Sequence, residues 1–360
     1  MQLQVDNDAL QEAIRIIMRL APPTEASGNI VLHSTGKKVF LKSNGDNARI
    51  EINLPAGVEG KPRTFAVSLA ALRDATKGRG QLEIVYDKTM CKVRSGKYLC
   101  ELPTTDAMEI EETPDEKLSS IEIDADQAQW LKESVKTVSL RPTPLISLFM
   151  PLAVKLTKKG AFVACYDSNH MAFIRSKEVT GDIDLRIPID LFASLLDVFV
   201  QSKFVLETSA STLYVSNKLI KVAMSLPQED ENDLKMEEII EGANGAREAT
   251  GVAFQVEKAD IQKFMDNARA VATKERSEIK IQAGSEKMKF EVVTTNGLIK
   301  AVIPCTCTKP VAMAIDFEFL DEAIRKGGAT LDLKLVSSEF LMIKLAKASV
   351  VISLNEENEQ

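Results

Sequence analysis

The chain has 360 residues, too many for one ordinary hydrophobic core, so its length predicts two or three domains. Hydrophobic residues make up 45% and charged residues 27%. No apolar run approaches the roughly 20 residues of a membrane helix, and the first residues do not resemble a signal peptide. We therefore expect a cytoplasmic protein that does not contact a membrane. The formal net charge of −7 disfavours nucleic-acid binding unless the cations are concentrated on one surface.

The predicted elements follow a fixed order in the first third of the chain. A short strand at Val5 leads into a helix over Asp8–Leu20, in which Leu10, Ile14 and Ile17 form one apolar stripe. Alternating apolar and polar residues then predict three antiparallel strands, and a second helix after Phe65 is followed by three more. The six predicted strands are Gly28–Ser34, Lys38–Ser43, Ala48–Leu54, Gln81–Asp87, Met90–Ser95 and Tyr98–Leu102.

The same order recurs twice further along the chain. In each third a polar turn centred on an asparagine enters an alternating strand, and these residues, Asn44, Asn169 and Asn296, are 125 and 127 residues apart. The positions at which a predicted strand leads into a predicted helix recur with the same period. They lie at Val5, Ile123 and Val256, and again at Phe65, Leu185 and Met313. A period kept by several markers is the signature of an internal repeat.

The repeat predicts an α+β fold of three domains, 1–113, 118–240 and 250–360. Each domain would contain two strand-helix-three-strand units with antiparallel strands. Two acidic, turn-rich segments, Met108–Lys117 and Gln228–Thr250, are predicted to separate the domains.

Basic residues recur on the polar faces of five of the six predicted helices. Lysine and arginine are common on any solvated helix face, but their recurrence in repeat register favours a shared surface for a phosphate backbone. The fourth helix, D-L-F-A-S-L-L-D-V-F-V, is nearly all apolar, so we expect little DNA contact beyond the lysine at its end. The predicted DNA-facing residues are Arg15, Arg19, Arg73, Lys77, Arg79, Lys132, Lys136, Lys203, Lys263, Arg269, Lys274, Arg276, Arg325 and Lys326.

The chain resembles the bacterial-type β sliding clamps over nearly its whole length. The resemblance lies in the threefold repeat and in segments such as G-K-P-R-T-F-A-V-S-L-A-A-L-R-D-A-T-K-G (60–78) and V-R-S-G-K-Y-L-C-E-L-P-T-T-D (93–106). It implies the DNA clamp fold: two copies join head to tail, domain 1 to domain 3, into a ring with helices inside and sheets outside. Double-stranded DNA would pass through the hole without sequence recognition. By position, the contact between copies lies near Lys97–Leu102 and Val271.

The resemblance also implies a pocket in which short peptide motifs of the DNA polymerase and the clamp loader bind. Where the family usually has Gly-His-Arg-Leu, this chain has Asn-His-Met-Ala, and it ends on V-V-I-S-L-N-E-E-N-E-Q, so we expect a divergent peptide. The pocket residues implied by position are Met150, Asp167, Asn169, His170, Met171, Ala172, Pro227, Leu341, Val350, Val351, Ile352 and Leu354.

Residue patterns of catalysis and metal binding are weak. Cys305 and Cys307 have no second cysteine pair, and the two histidines lie far from them in sequence, so we predict no metal and no cofactor. No phosphate-binding glycine loop is present. The leading hypothesis is a clamp that is not an enzyme. Two alternatives remain, a protein–protein scaffold that does not encircle DNA and a hydrolase centred on Asp167 and His170.

Overall fold

The computed structural model describes residues 1–23, 28–77, 80–87, 89–105, 107, 116, 119–139, 151–167, 169–227, 234–270, 278–294 and 296–354. Within these residues the chain forms seven helices. They are α1 (Asn7–Leu20), α2 (Leu69–Ala75), α3 (Ala125–Val138), α4 (Ile189–Phe199), α5 (Met236–Glu248), α6 (Lys258–Ala268) and α7 (Phe317–Lys326).

The described residues divide into two compact units, Met1–Gln129 with Asp190–Gln228, and Trp130–Ile189 with Glu229–Gln360. The strands of the first unit are β1 (Gln2–Asp6), β2 (Asn29–Ser34), β3 (Val39–Asn44), β4 (Ala48–Leu54), β5 (Ala56–Glu59), β6 (Arg63–Ser68), β7 (Gln81–Asp87), β8 (Met90–Ser95), β9 (Tyr98–Thr105), β10 (Ser119–Ile123), β15 (Phe204–Thr208), β16 (Thr212–Ser216) and β17 (Ile220–Ser225). They form one antiparallel sheet in the order β10-β15-β16-β17-β4-β3-β2-β6-β9-β8-β7-β1-β5.

The strands of the second unit are β11 (Pro151–Thr157), β12 (Gly160–Tyr166), β13 (His170–Ser176), β14 (Ile183–Pro188), β18 (Val252–Glu257), β19 (Glu278–Ala283), β20 (Lys287–Thr294), β21 (Gly297–Pro304), β22 (Thr306–Cys307), β23 (Val311–Asp316), β24 (Thr330–Leu335), β25 (Phe340–Lys344) and β26 (Ser349–Ser353). Nine of them form a sheet in the order β14-β11-β12-β13-β26-β25-β24-β18-β22. The other four form a sheet in the order β21-β20-β19-β23.

The element order confirms the predicted α+β class and the sixfold strand-helix-three-strand unit. The six strand-helix-three-strand repeats begin at β1, β6, β10, β14, β18 and β23, and each continues through one helix and three strands. Helix α1 shows why the pattern folds this way: Leu10, Ile14 and Ile17 are buried on one side, and the Asp6 Oδ1 accepts a hydrogen bond from the Ala9 N–H at 3.0 Å.

Sheet pairing continues where one predicted repeat meets the next. In the first unit β17 pairs with β4, with Val222 opposite Ile50. In the second unit β13 pairs with β26, with Met171 opposite Val351. These pairings satisfy strand edges that would otherwise be open to other chains.

One linker prediction was wrong. The segment Gln228–Thr250 was predicted to be a turn-rich linker, but 236–248 form helix α5, and residue 240, the predicted end of domain 2, lies within it. Gly327 ends α7 with an extended backbone, and a Cβ there would require the buried Leu331 side chain to shift, because it would lie 2.1 Å from the Leu331 Cδ2. Most of Met108–Lys117 lies outside the described residues, and so does Val271, which is predicted to lie near the contact between copies.

Candidate functional site

Among the described residues, the predicted DNA-facing side chains lie on helices or just after them, and most of these pair with a carboxylate. In the first unit Arg15 pairs with Glu12, Arg19 with Asp197, and Lys203 with Glu122. Asp74 lies 2.9 Å from the Lys77 Nζ and 3.6 Å from the Arg73 Nε. The hydrogen bond from Lys77 is the main reason that the pKa of Asp74 is lowered.

In the second unit one buried carboxylate holds two of the predicted arginines. Asp321 accepts hydrogen bonds from Arg269, at 2.5 Å to the Nη2, and pairs with Arg325 at 2.7 Å. The hydrogen bond to Asp321 is the largest cause of the raised pKa of Arg269. Lys326 lies 3.3 Å from Glu322. The positive charges on α6 and α7 are therefore partly neutralised within the chain.

Two predicted cations, Lys136 on α3 and Lys263 on α6, are exposed and have no ion pair within the part of the chain that the structure describes. Lys132 is half-buried. Residues Arg79, Lys274 and Arg276 lie outside the described residues.

The predicted peptide-pocket residues Asp167 and His170 form the turn between β12 and β13. The Asp167 Oδ1 accepts hydrogen bonds from the backbone N–H groups of Asn169 and His170, at 2.7 and 2.9 Å. Its Oδ2 lies 2.6 Å from the His170 Nδ1. Burial opposes ionisation of Asp167, but the contacts with His170 and these N–H groups leave its pKa below the usual value.

His170 is a core residue in this structure. Its side chain is 2% exposed, and its ring stacks on Phe319 of α7 with the ring centroids 4.2 Å apart. An imidazole buried in this way has no access to a substrate in solvent, so the Asp167–His170 pair stabilises a turn. The observed geometry gives no support to the hydrolase hypothesis.

Six of the remaining pocket residues lie on two opposite faces of the nine-stranded sheet. Side chains alternate between faces along a strand. Ala172, Leu341, Val350 and Ile352 are buried on the face of His170. Met171 and Val351, which are cross-strand partners, lie on the other face. Leu354 and Asn169 are half-buried, Pro227 is exposed and belongs to the first unit, and Met150 lies outside the described residues.

Helix α5 covers the face that carries Met171 and Val351. The helix buries Met236, Ile239 and Ala243, and Ile240 and Ala246 pack at the margin of the same cluster. These residues have the i, i+3, i+4, i+7 spacing of an amphipathic helix, so the sequence contained a signal for α5. The acidic residues between them obscured it. On the sheet side the cluster contains Ala153, Phe162, Ala164, Tyr166, Met171, Phe173, Val336, Met342 and Val351.

Polar contacts fix both ends of α5. At its start the Glu238 carboxylate accepts a hydrogen bond from the Lys235 N–H at 2.7 Å, and Glu237 lies 2.8 Å from the Lys155 Nζ. At its end the Lys334 Nζ donates to the carbonyl oxygens of Arg247 and Ala249, at 2.9 and 3.0 Å. A lysine at this end also interacts favourably with the helix dipole.

Arg175 is an incompletely paired cation in the same cluster. Its guanidinium lies 5.2 Å from the centre of the Phe162 ring and 6.0 Å from that of Phe173. Its Nε and Nη2 are buried and have no hydrogen-bond acceptor among the described residues. Burial is the main cause of its lowered pKa. The charge of Arg247 lowers it further, and Glu248 acts in the opposite direction.

Each unit also exposes apolar side chains on a strand with an open edge. In the first unit Tyr98 and Leu99 of β9 are exposed, and β9 pairs with β6 only at Thr104 and Thr105. In the second unit β21 is the last strand of its sheet, and it exposes Leu298 and Val302. Such edges can pair with another chain.

The cysteines show no metal-binding geometry. Cys305 and Cys307 donate hydrogen bonds to the carbonyl oxygens of Gly284 and Lys309. The described residues contain no group of three or more acidic, histidine or cysteine side chains that could hold a metal ion. None of the described helices is long and apolar enough to cross a membrane.

Six strand-helix-three-strand units, with sheets that continue from one repeat to the next, define the class of fold. It is the fold of the bacterial DNA polymerase III beta subunits, the sliding clamps. The chain is similar to the DNA polymerase III subunit beta from Pseudomonas aeruginosa (TM-score 0.81, 11% identity, 99% of this chain and 100% of that chain). It is also similar to the beta subunit from Thermotoga maritima (TM-score 0.79, 11% identity, 99% of this chain and 99% of that chain). The sliding clamp from Bacillus subtilis matches it with a TM-score of 0.79 and 15% identity, over 99% of this chain and 99% of that chain. No protein-family model and no curated protein matches the chain.

Proposed function

We propose that this protein is a sliding clamp: two copies close a ring around double-stranded DNA and tether a DNA polymerase to it. The observation that carries this proposal is the fold, which matches beta subunits over 99% of the chain with TM-scores of 0.76 to 0.82. The cytoplasm is the proposed location.

Each copy would contribute three domains, 1–113, 118–240 and 250–360, and the copies would meet domain 1 to domain 3. The open edge of β9, with Tyr98 and Leu99, and the open edge of β21, with Leu298 and Val302, supply complementary surfaces for this contact. Both are antiparallel edge strands with exposed apolar side chains, and pairing them would bury both.

The helix cations would contact DNA phosphates without reading the base sequence. The exposed carboxylates that pair with Arg15, Lys77 and Lys203 are compatible with this role, because exposed ion pairs contribute only about 0 to 1 kcal/mol and a phosphate can replace the carboxylate. The buried Asp321 would stay paired with Arg269 and Arg325. Individual contacts can be weak, since the closed ring retains DNA by topology. No chemical step is assigned, so the proposed protein is not an enzyme and needs no cofactor.

The proposed partners, a DNA polymerase and a clamp loader, would dock through short peptide segments on the second unit. Met171 and Val351 support this assignment, because they lie together on an apolar sheet face that helix α5 covers.

A topological retention experiment tests the clamp proposal. The protein is mixed with nicked circular DNA, cross-linked with a bifunctional amine reagent, and separated from free protein in 1 M salt. We expect cross-linked protein to remain with circular DNA and to be lost after the circle is cut once. Equal loss from circular and linear DNA would contradict encirclement.

A scaffold without DNA encirclement is the second candidate function, and the ion pairs of Arg15, Arg19, Arg269 and Arg325 favour it because they reduce the free positive charge. The same experiment separates the two candidates, since a scaffold gives no difference between circular and linear DNA.

A further inference from the structure

We propose that the sheet face beneath α5 is a docking surface for an acidic amphipathic helix of a partner protein, and that α5 occupies this surface within the chain. The partner helix would displace α5 and take its place. The proposal rests on the proposed function in one respect, that the partner is a protein tethered by the clamp.

The way α5 packs resembles the binding of a ligand helix. Its three buried side chains, Met236, Ile239 and Ala243, occupy positions i, i+3 and i+7 along one stripe. They pack on an apolar surface formed by five adjacent strands, β11, β12, β13, β26 and β25. Recognition of an amphipathic helix by an apolar groove uses this same spacing of anchors.

The sequence of α5 gives the helix a lower intrinsic stability than the space around it would allow. It contains Gly242 and Gly245, and glycine is among the residues that most disfavour a helix. A Cβ at Gly242 would lie 3.7 Å from the Met171 Cε, an ordinary contact, and a Cβ at Gly245 would meet nothing within 4 Å. Neither glycine is needed for space, so the sequence keeps α5 easier to unfold than alanine would.

The last turn of α5 also fits the surface poorly in charge. The buried Nε and Nη2 of Arg175 lack acceptors among the described residues. Besides burial, the like charge of Arg247 lowers the pKa of Arg175, and the charge of Glu248 acts in the opposite direction. A carboxylate in place of Arg247 would replace this repulsion with an attraction. The surface therefore suits a helix that carries an acidic residue there better than it suits α5.

Further cations surround the same surface. Lys155 and Lys334 bind the two ends of α5, and the Arg186 guanidinium donates to the Leu234 carbonyl oxygen just before the helix. The Lys155 contact favours a ligand with an acidic residue in its first turn, where α5 has Glu237. Lys334 and Arg186 donate to backbone carbonyl oxygens, which any helix in this place would offer. The chemistry identifies the partner segment as a helix with apolar anchors at the positions of Met236, Ile239 and Ala243 and with a carboxylate at both ends.

Hydrogen exchange of the full-length chain tests whether α5 opens by itself. We expect the α5 amides to exchange at least a hundredfold faster than those of β12 and β13 beneath it. Gly242→Ala with Gly245→Ala should slow α5 exchange about twentyfold, which is the effect of two glycine-to-alanine changes in a helix. Exchange of α5 at the rate of β12 and β13 would overturn the proposal.

Binding of a synthetic peptide tests the docking surface. The probe is residues 234–250 carrying Arg247→Glu, labelled for anisotropy, with native-sequence and Arg247→Gln peptides as controls. The receptor is the full-length chain with Ile239→Asp, in which α5 cannot pack. We expect the Arg247→Glu peptide to bind about tenfold more tightly than the native peptide, and the Arg247→Gln peptide to lie between them.

Replacing Arg175 with methionine in this receptor should abolish the difference between the three peptides. Equal affinities with Arg175 present, or no binding at all, would overturn the proposal. If the Ile239→Asp chain does not fold, hydrogen exchange of a full-length Arg247→Glu chain replaces it, and exchange of α5 no slower than in the original chain is then the contradicting result. None of these measurements involves DNA. They can therefore fail while the DNA retention experiment succeeds, and they can succeed while DNA retention fails.

Discussion

Replacing Leu298 and Val302 of β21 with glutamate should convert the proposed dimer into a monomer. In the single chain Tyr98 is 82% exposed, Leu99 51%, Leu298 52% and Val302 59%. Complete burial of a large apolar side chain is worth about 1.5 to 3 kcal/mol, so burying these exposed fractions contributes roughly 5 kcal/mol per contact between copies. The two glutamates remove about 2 kcal/mol of this and add the cost of placing two carboxylates in an apolar contact, which is at least about 2 kcal/mol more.

A total loss of about 4 kcal/mol raises the dissociation constant of each contact about 1,000-fold. Sedimentation equilibrium over a range of protein concentrations measures this change. Leu219→Glu is the matched control, because Leu219 is 55% exposed and lies in the β16–β17 turn, and four strands separate β17 from β9 in the sheet of the first unit. A double variant that sediments like the control, or an unsubstituted chain that stays monomeric at every concentration, would refute the reasoning.

Three further predictions concern charge and burial. Lys136→Ala with Lys263→Ala should lower the slope of log affinity against log salt for DNA by about 2 per chain, measured by anisotropy over a salt series, because both cations are unpaired among the described residues. Asp167→Asn should destabilise the chain at pH values above 3.8. Because the native pKa of Asp167 lies below that unfolded value, the difference in thermal unfolding should vanish as the pH falls through the native pKa. Cys91, whose burial with the nearby Cys100 thiol raises its pKa to about 12, should react with a thiol reagent at pH 8 only after unfolding.

Each of these predictions has a control within the chain. Arg15→Ala should change the salt slope less than Lys136→Ala, since Arg15 pairs with Glu12. An unchanged slope in the double lysine variant would exclude those residues from the DNA surface. A destabilisation by Asp167→Asn that persists below the native pKa would mean that the charge of Asp167 is not its cause. The half-exposed Cys307 is the comparison for Cys91, and equal reaction rates in the folded chain would contradict the burial argument.

The repeating architecture could be predicted from the sequence because each unit carries local signals. Alternation identified the strands, and the turns at Asn44 and Asn169 separated them where the structure places hairpins. Helix α5 was missed because Glu237, Glu238 and Glu241 resemble a solvated linker and obscured the helical spacing of its apolar residues.

Pairings between distant residues could not be read from the sequence. Arg19 and Asp197 are 178 residues apart, and Arg269 and Asp321 are 52 apart, so local patterns identify the cations but not their neutralising partners. The sequence did indicate that the predicted pocket residues lie on two faces of the sheet, since the neighbours Val350 and Val351 must face opposite sides of a strand. Which of those sides α5 covers depends on the tertiary structure.

The central claim is that two copies of this chain enclose a hole for duplex DNA. Single-particle imaging of the purified full-length protein, at a concentration where sedimentation shows a dimer, tests it most directly. The account predicts closed rings of two copies with one central hole wide enough for duplex DNA and lined by the helices that carry Lys136 and Lys263. Single copies, or compact dimers without a hole, would contradict it.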